Sequence, residues 1–353
     1  MPTRSPYSGP YRKLVLAFDV GTTFSGISYR FPAQEQVGGD SKIPTIIYYD
    51  QNGVVRAVGA EALKEGLDDM IEDEGWTKAE WFKLHLRPKA SASATHKIPP
   101  LPRNKTVVDV FADFLHYLHT CAQTYIQETH ANGADLWASI EGRIEFVLTH
   151  PNGWEGAQQA QMRNAAIQAG LVPNTTAGRA RVHFVTEGEA SLHFCIQSGL
   201  TTEAMKHGRG VLIVDAGGGT IDISGYGQTS ESTFQEISPA QCYFQGSIFV
   251  TNHARTFLQS MVISHLDIET ILTRFSSALL EGSKFSEDVN HITNCFDKTT
   301  KLRFRNSSEP QYIKFGSARD KDLSLGIRSG QLRLKGYVSF QVQVPIQVYE
   351  TIP

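Results

Sequence analysis

The stretch Val-Asp-Ala-Gly-Gly-Gly-Thr-Ile-Asp at residues 214–222 decides the fold, because Phe-Asp-Val-Gly-Thr-Thr at residues 18–23 carries the same pattern earlier in the chain. Each stretch follows a short apolar run, at 211–214 and at 14–18, and each is followed closely by another apolar segment. Parallel strands need a connection of about a dozen residues, so these short spacings predict two antiparallel hairpins. The chain therefore contains two similar loops, each at the tip of a hairpin.

The residues of these loops have the chemistry of a phosphate and metal site. Glycines let backbone N–H groups approach phosphate oxygens because no Cβ is in the way, and threonine hydroxyls add donors. The carboxylates of Asp19, Asp215 and Asp222 suit Mg²⁺, which takes one or two carboxylates and keeps several waters. A single Asp-Gly turn would more simply close a hairpin, but two copies favour two loops that hold one nucleotide.

Length, charge and cysteine usage limit the class of protein. The 353 residues leave room for roughly two domains, and a net charge of −3 points to neither nucleic acid nor a membrane as partner. No apolar run approaches the roughly 18 residues of a membrane span, and the N-terminus lacks the apolar region of a secretory signal. The four cysteines form no close pair. We therefore expect a cytoplasmic protein with a disordered tail at residues 1–11.

The rest of the chain alternates predicted strands and helices, as in an α/β fold. Apolar residues recur at i, i+3, i+4 and i+7 from Val107 to Leu118, which predicts an amphipathic helix. Alternating apolar residues at 332–346 predict a late strand or hairpin. The other predicted elements are strands at 14–18, 27–31, 44–49, 146–149, 182–185, 211–214 and 221–226, and helices at 154–169, 187–197, 249–262 and 270–280.

The two loops and the segment Phe-Val-Thr-Glu-Gly-Glu-Ala at residues 184–190 resemble the two phosphate motifs and the first connecting motif of the actin-like ATPase superfamily. Within it, Trp-Phe-Lys-Leu-His-Leu at 81–86 and Thr-His-Pro-Asn-Gly-Trp at 149–154 resemble divergent fungal and animal members of the 70 kDa heat shock (DnaK-like) family. The resemblance implies an α/β, actin-like ATPase (ribonuclease H-like) fold with mixed sheets and helical insertions. It places lobe I at residues 12–203, with an inserted subdomain at about 44–130, and lobe II at 204–353.

The same resemblance implies the site residues, which would bind ATP or ADP with Mg²⁺. Asp19 and Asp215 match the aspartates that hold the metal, and Lys83, Glu187 and Asp215 match the catalytic set around the attacking water. A solvated helix lysine is the alternative for Lys83. The residues that match the nucleotide-binding set are Gly21, Thr22, Thr23, Gly217, Gly218, Gly219, Thr220 and Asp222.

The sequence departs from the family pattern in two places. Gly188 replaces a proline of the connecting motif, which predicts a more flexible segment. No Gly-Gly pair follows Gly219 to grip ribose and adenine, so we expect lobe II to be truncated and the chain to lack a peptide-binding domain.

The leading hypothesis is an ATP-binding, chaperone-like ATPase domain whose partners are the nucleotide and co-chaperones. The alternatives are a catalytically weak nucleotide-binding scaffold and a small-molecule kinase of the same superfamily.

If Lys83 contacts the γ-phosphate and the attacking water, Lys83→Ala removes a preorganised positive charge. We expect ATP hydrolysis to slow by on the order of 100-fold. A single-turnover assay measures this, and a rate equal to that of the parent protein would contradict the assignment.

Overall fold

A computed structural model describes residues 13–30, 37–38, 42–88, 98–198, 210–230, 233–265, 284–306, 308–321, 323 and 326–334. The predicted tail at 1–11, the predicted helix at 270–280, the lobe boundary at 203/204 and most of the late strand at 332–346 lie outside these residues. The domain limits stay predictions.

The described chain is a mixture of strands and helices, which confirms an α/β fold. The strands, in chain order, are β1 Val15–Val20, β2 Phe24–Arg30, β3 Val37–Gly38, β4 Ile43–Pro44, β5 Ile46–Tyr49, β6 Val55–Val58, β7 Thr77–Glu80, β8 Glu145–His150, β9 Val182–Thr186, β10 Gly210–Ala216, β11 Ile221–Ser230, β12 Thr233–Tyr243, β13 Gln311–Lys314, β14 Ile327–Arg328 and β15 Gln331–Leu334.

The α-helices are α1 Leu67–Glu74, α2 Val107–Thr129, α3 Gly133–Ile140, α4 Ala157–Gln168, α5 Thr176–Arg179, α6 Glu187–Gln197, α7 Ser247–His265, α8 Lys284–Cys295 and α9 Lys301–Arg303. Short 3₁₀ helices cover Gly59–Leu63, Phe82–Leu86 and Glu141–Arg143, and a π-helical turn at Phe296–Thr300 joins α8 to α9. None of the described helices is long and apolar enough to cross a bilayer.

Both predicted hairpins are confirmed. In the first sheet, β1 pairs antiparallel with β2 and parallel with β8, and β8 pairs parallel with β9, so the strand order is β3-β2-β1-β8-β9 with β4 beside β2. In a separate sheet, β10 pairs antiparallel with β11, which pairs antiparallel with β12. The first sheet is therefore mixed, whereas the sheet that carries the second hairpin is antiparallel.

The predicted amphipathic helix is confirmed as α2, which is longer than its apolar stripe suggested. Its first turn is closed by a capping box: the Thr106 hydroxyl accepts from the Asp109 N–H, and the Asp109 carboxylate accepts from the Thr106 N–H. Its buried face includes Phe111 and Phe114, whose rings meet the ring of Phe82 edge-on at centroid distances of 6.1 and 5.6 Å. The helix thus anchors the 3₁₀ helix that contains Lys83.

The chain divides into two compact units, Met1–Phe244 and Gln245–Pro353. The first contains both hairpins and every residue of the predicted site. The second has its own apolar core, formed where α7, α8 and the small sheet β13-β15-β14 meet, and made of Ala254, Leu258, Val289, Phe296, Ile313, Leu332 and Leu334.

Candidate functional site

The two hairpins present their aspartates in matching positions. Asp19 pairs with Gly26 across the first hairpin, and Asp215 pairs with Asp222 across the second. Each aspartate is in the last two residues of its strand, so its carboxylate is next to the glycine-bearing loop. The internal repeat in the sequence is therefore a structural repeat.

The tips of the hairpins lie against each other. A Cβ on Gly218 would be 2.5 Å from the Thr23 hydroxyl, and a Cβ on Gly219 would be 2.4 Å from the Thr22 hydroxyl. Cβ atoms essentially never come so close to other heavy atoms, so these two positions need glycine for the close approach of the loops. Four residues of the predicted nucleotide-binding set, Thr22, Thr23, Gly218 and Gly219, are thus adjacent.

Each loop is also a tight turn. A Cβ on Gly21 would lie 2.2 Å from the carbonyl oxygen of Phe24, and the Gly217 N–H donates to the Thr220 carbonyl at 2.9 Å. Thr45 supports the first loop, since its N–H donates to the Thr23 carbonyl at 2.9 Å.

Lys83 lies next to these loops and is only 2% exposed. Trp81, immediately before its 3₁₀ helix, has φ 53°, a left-handed conformation that is uncommon for a large side chain. The neighbour of Lys83, Leu84, comes close to Gly219, whose Cβ would lie 2.9 Å from the leucine side chain. The alternative of a solvated lysine is therefore wrong.

Lys83 forms an ion pair with Glu187, the glutamate of the predicted connecting motif. Its Nζ donates to Glu187 Oε1 at 2.5 Å. Glu187 is the first residue of α6, where the Thr186 hydroxyl caps the helix by accepting from the Glu189 N–H. The strand-to-helix junction therefore fixes the carboxylate opposite the lysine.

Burial and charge set the protonation of this pair. Burial opposes the charge of Lys83, but the carboxylates of Glu187 and Asp19 outweigh it, so the pKa of Lys83 is raised. Burial raises the pKa of Glu187 to about 7, against the attraction of Lys83. Near neutral pH the lysine is charged, whereas the glutamate titrates.

The three aspartates differ in their surroundings. Asp19 is exposed and accepts a hydrogen bond from the Thr149 hydroxyl at 2.5 Å. Burial and the charge of Asp19 raise the pKa of Asp215, while Lys83 and Lys42 oppose that shift. Asp222 is 1% exposed, and burial raises its pKa against a hydrogen bond from the Asn152 N–H. Buried carboxylates are costly unless they find a partner.

The site fits a hydrated divalent cation. Within the described residues, no group of three or more His, Cys, Asp or Glu side chains forms a closed metal cage, and Mg²⁺ usually needs only one or two carboxylates because it retains its waters. Asp19 and Asp215 lie close enough that the charge of Asp19, together with burial, raises the pKa of Asp215. A cation between these two carboxylates would relieve that repulsion.

Three residues at the site were not predicted from the sequence. Thr149 and Asn152 lie in the segment 149–154 that carries the family resemblance, and they donate to Asp19 and Asp222. Lys42 acts electrostatically on Asp215. The signal for the first two was the placement of polar residues at the end of a buried strand, β8, where functional loops often begin.

Gly188 has a packing role in the structure, whereas the sequence predicted a flexible segment at this position. Gly188 is buried in the first turn of α6, and a Cβ there would lie 2.6 Å from the Ser224 hydroxyl. The glycine therefore lets α6 pack closely on β11.

Comparison with curated proteins shows a distant similarity to heat shock 70 kDa proteins. The chain is 25% identical to heat shock 70 kDa protein 12B of Homo sapiens over 277 residues, which are 74% of this chain and 37% of that protein. It is 26% identical to heat shock 70 kDa protein 12A of Mus musculus over 197 residues, 52% of this chain and 28% of that protein. The chain thus spans 37% of the length of the first relative and 28% of the length of the second.

A family model described as "Domain of unknown function (DUF8340)" matches residues 205–345. The match includes β10 to β12 and all of the second compact unit that the structure describes. It therefore contains Asp215 and Asp222, but not Asp19, Lys83 or Glu187.

Gly219→Ala tests the contact between the loops. The new methyl group would lie 2.4 Å from the Thr22 hydroxyl, and we expect the free energy of unfolding to fall by about 1–3 kcal/mol. Urea denaturation measures the change. Gly26→Ala, in the first hairpin, is the control because its Cβ meets nothing within 4 Å. Equal effects of the two substitutions would contradict the close contact.

Glu187→Gln tests the raised pKa of the buried glutamate. A carboxyl group that keeps its proton up to about pH 7 in the folded chain favours folding below its unfolded pKa near 4.5. That stabilisation is lost as the pH rises to 7. The parent should therefore lose stability relative to Glu187→Gln by up to roughly 1 kcal/mol per pH unit across this range.

Unfolding free energies from pH 4 to 8 measure the difference between parent and variant. Glu128→Gln, at an exposed position of α2, is the control. A pH dependence for Glu187→Gln equal to that of the control would contradict the raised pKa.

Proposed function

We propose that the first compact unit binds ATP or ADP with Mg²⁺ between the two loops and is an ATPase domain of the actin-like superfamily. The observation that carries this proposal is the contact between the two Asp-Gly-Thr loops beside the buried Lys83–Glu187 pair. Such loops offer backbone N–H groups and hydroxyls to phosphate oxygens, as a phosphate site requires. The distant similarity to two heat shock 70 kDa proteins supports the same function.

In this proposal each part of the site has one task. Gly21, Thr22 and Thr23 on one side, and Gly217–Gly219 with Thr220 on the other, bind the β- and γ-phosphates. Asp19 and Asp215 hold the hydrated Mg²⁺. The bound cation would neutralise phosphate charge.

Lys83 would contact the γ-phosphate, and Glu187 would orient the attacking water with Asp222 nearby. The pair is prepositioned, because Lys83 is fixed by its buried 3₁₀ helix and Glu187 by the first turn of α6. Phosphoryl transfer needs little more than positioning and charge stabilisation from the protein.

A nucleotide-binding scaffold with little turnover is the second candidate. The sequence after Gly219 favours it, because it contains no Gly-Gly pair that would bind ribose and adenine.

The wider assignments belong to the same proposal. They are an actin-like two-lobed fold with lobe I at 12–203 and lobe II at 204–353, a cytoplasmic location, and co-chaperones as partners. The mixed sheet around β1, whose hairpin is repeated by β10 and β11, supports the fold. A chaperone role rests only on the names of the two relatives, of whose length this chain spans 37% and 28%.

Asp19→Asn and Asp215→Asn test the nucleotide site. Each substitution removes a carboxylate charge that would hold Mg²⁺, and we expect ATP affinity in the presence of Mg²⁺ to fall by about 10- to 100-fold. Calorimetric titration with and without Mg²⁺ measures it. Asp135→Asn, at an exposed position of α3, is the control and should bind like the parent.

Phosphate release measured on the same samples separates the two candidates. MgATP binding with turnover supports the ATPase, and binding without turnover supports the scaffold. Unchanged affinity in both aspartate variants would contradict the site itself.

A further inference from the structure

Asn152 joins two sheets of the first compact unit, the mixed sheet that contains β8 and the antiparallel sheet of β10, β11 and β12. It lies two residues after the end of β8, in the first sheet, and it is 4% exposed. Its side-chain amide donates to the Ser224 hydroxyl at 3.0 Å and to the carbonyls of Gln241 and Ile223 at 3.3 and 3.5 Å. Those acceptors belong to β11 and β12, in the second sheet.

The same residue bonds to the buried aspartate through its backbone. The Asn152 N–H donates to Asp222 Oδ1 at 2.7 Å, a short distance typical of a hydrogen bond to a charged acceptor. Burial raises the pKa of this carboxylate, and the hydrogen bonds from Asn152, Thr220 and Cys242 oppose that shift. Asn152 thus satisfies one oxygen of a buried carboxylate that other side chains also contact.

We propose that Asn152 is a positioning residue for Asp222: its side-chain amide fastens the turn after β8 to β11 and β12, and so keeps its backbone N–H on one oxygen of Asp222. The role of Asp222 in ATP hydrolysis rests on the proposed nucleotide site. The positioning itself does not.

The side-chain amide is suited to this task because it is a neutral donor. An aspartate at position 152 would place a second carboxylate beside Asp222, and an alanine would leave the Ser224 hydroxyl and two carbonyls without this donor. Among the hydrogen bonds of the described residues, the turn would then keep one to β11, from the N–H that it must position. Loss of the amide should therefore weaken the bond to a buried carboxylate, which is costly to leave unsatisfied.

A double-mutant cycle without nucleotide tests the positioning. Asn152→Ala should raise the unfolding equilibrium constant about tenfold more in the parent background than in the Asp222→Asn background. The reason is that the neutral amide of Asp222→Asn tolerates a weaker bond from the Asn152 N–H. Asn152→Ser, which restores one hydroxyl donor, should recover part of the loss. Asn174→Ala, at an exposed position, should show the same effect in both backgrounds.

Equal effects of Asn152→Ala in both backgrounds, with no recovery by serine, would overturn the proposal and leave Asn152 as a packing residue. If Asn152→Ala does not fold, Ser224→Ala replaces it in the cycle, since it removes a single acceptor of the amide. The same two results then support or overturn the proposal.

Titration of these variants with ATP, with and without Mg²⁺, separates this inference from the proposed function. Coupling in the cycle together with an equal loss of Mg²⁺-dependent affinity in Asn152→Ala and Asp222→Asn supports both. Coupling in a protein that binds no nucleotide supports the positioning and overturns the nucleotide site. An additive cycle overturns the positioning whatever the protein binds.

Discussion

The close approach of two glycine-bearing hairpin tips is the constraint on which the site depends. Where Gly218 meets Thr23 and Gly219 meets Thr22, a single added Cβ would collide with a hydroxyl. This contact brings Asp19 and Asp215, which lie far apart in the chain, within electrostatic reach of each other. It also places Leu84, and with it the buried Lys83, against the second loop. The other residues of the site lie around that contact.

The side chains around the two loops carry an excess of negative charge. Four carboxylates, those of Asp19, Asp215, Asp222 and Glu187, interact with one buried lysine, Lys83. Burial raises the pKa of Asp215, Asp222 and Glu187, because the removal of water penalises the ionised form. A cation that enters such a cluster would favour ionisation and would be bound in return. This excess of negative charge is the physical reason for the proposed Mg²⁺ site.

The departure from the family pattern at Gly188 shows that a motif alone does not predict local flexibility. From the sequence alone, glycine in place of proline suggests flexibility. In the structure the same glycine is buried, and its missing side chain makes room for Ser224. Ser224 in turn accepts from Asn152, so a position that suggested mobility belongs to the packing that fixes Asp222. Local propensity is a weak guide where two elements come into close contact.

The sequence by itself determined the two hairpins, the α2 stripe and the identity of the loop residues, because apolar periodicity and glycine placement are local properties. It did not predict β6, β7 or β12. The tertiary structure alone decided that Lys83 is buried and paired with Glu187, that Thr149 holds Asp19, and that Asn152 joins β8 to β11 and Asp222. The partners in these contacts lie 70 to 130 residues apart. No local pattern encodes them, because they arise only where separately formed sheets pack together and bury their polar groups.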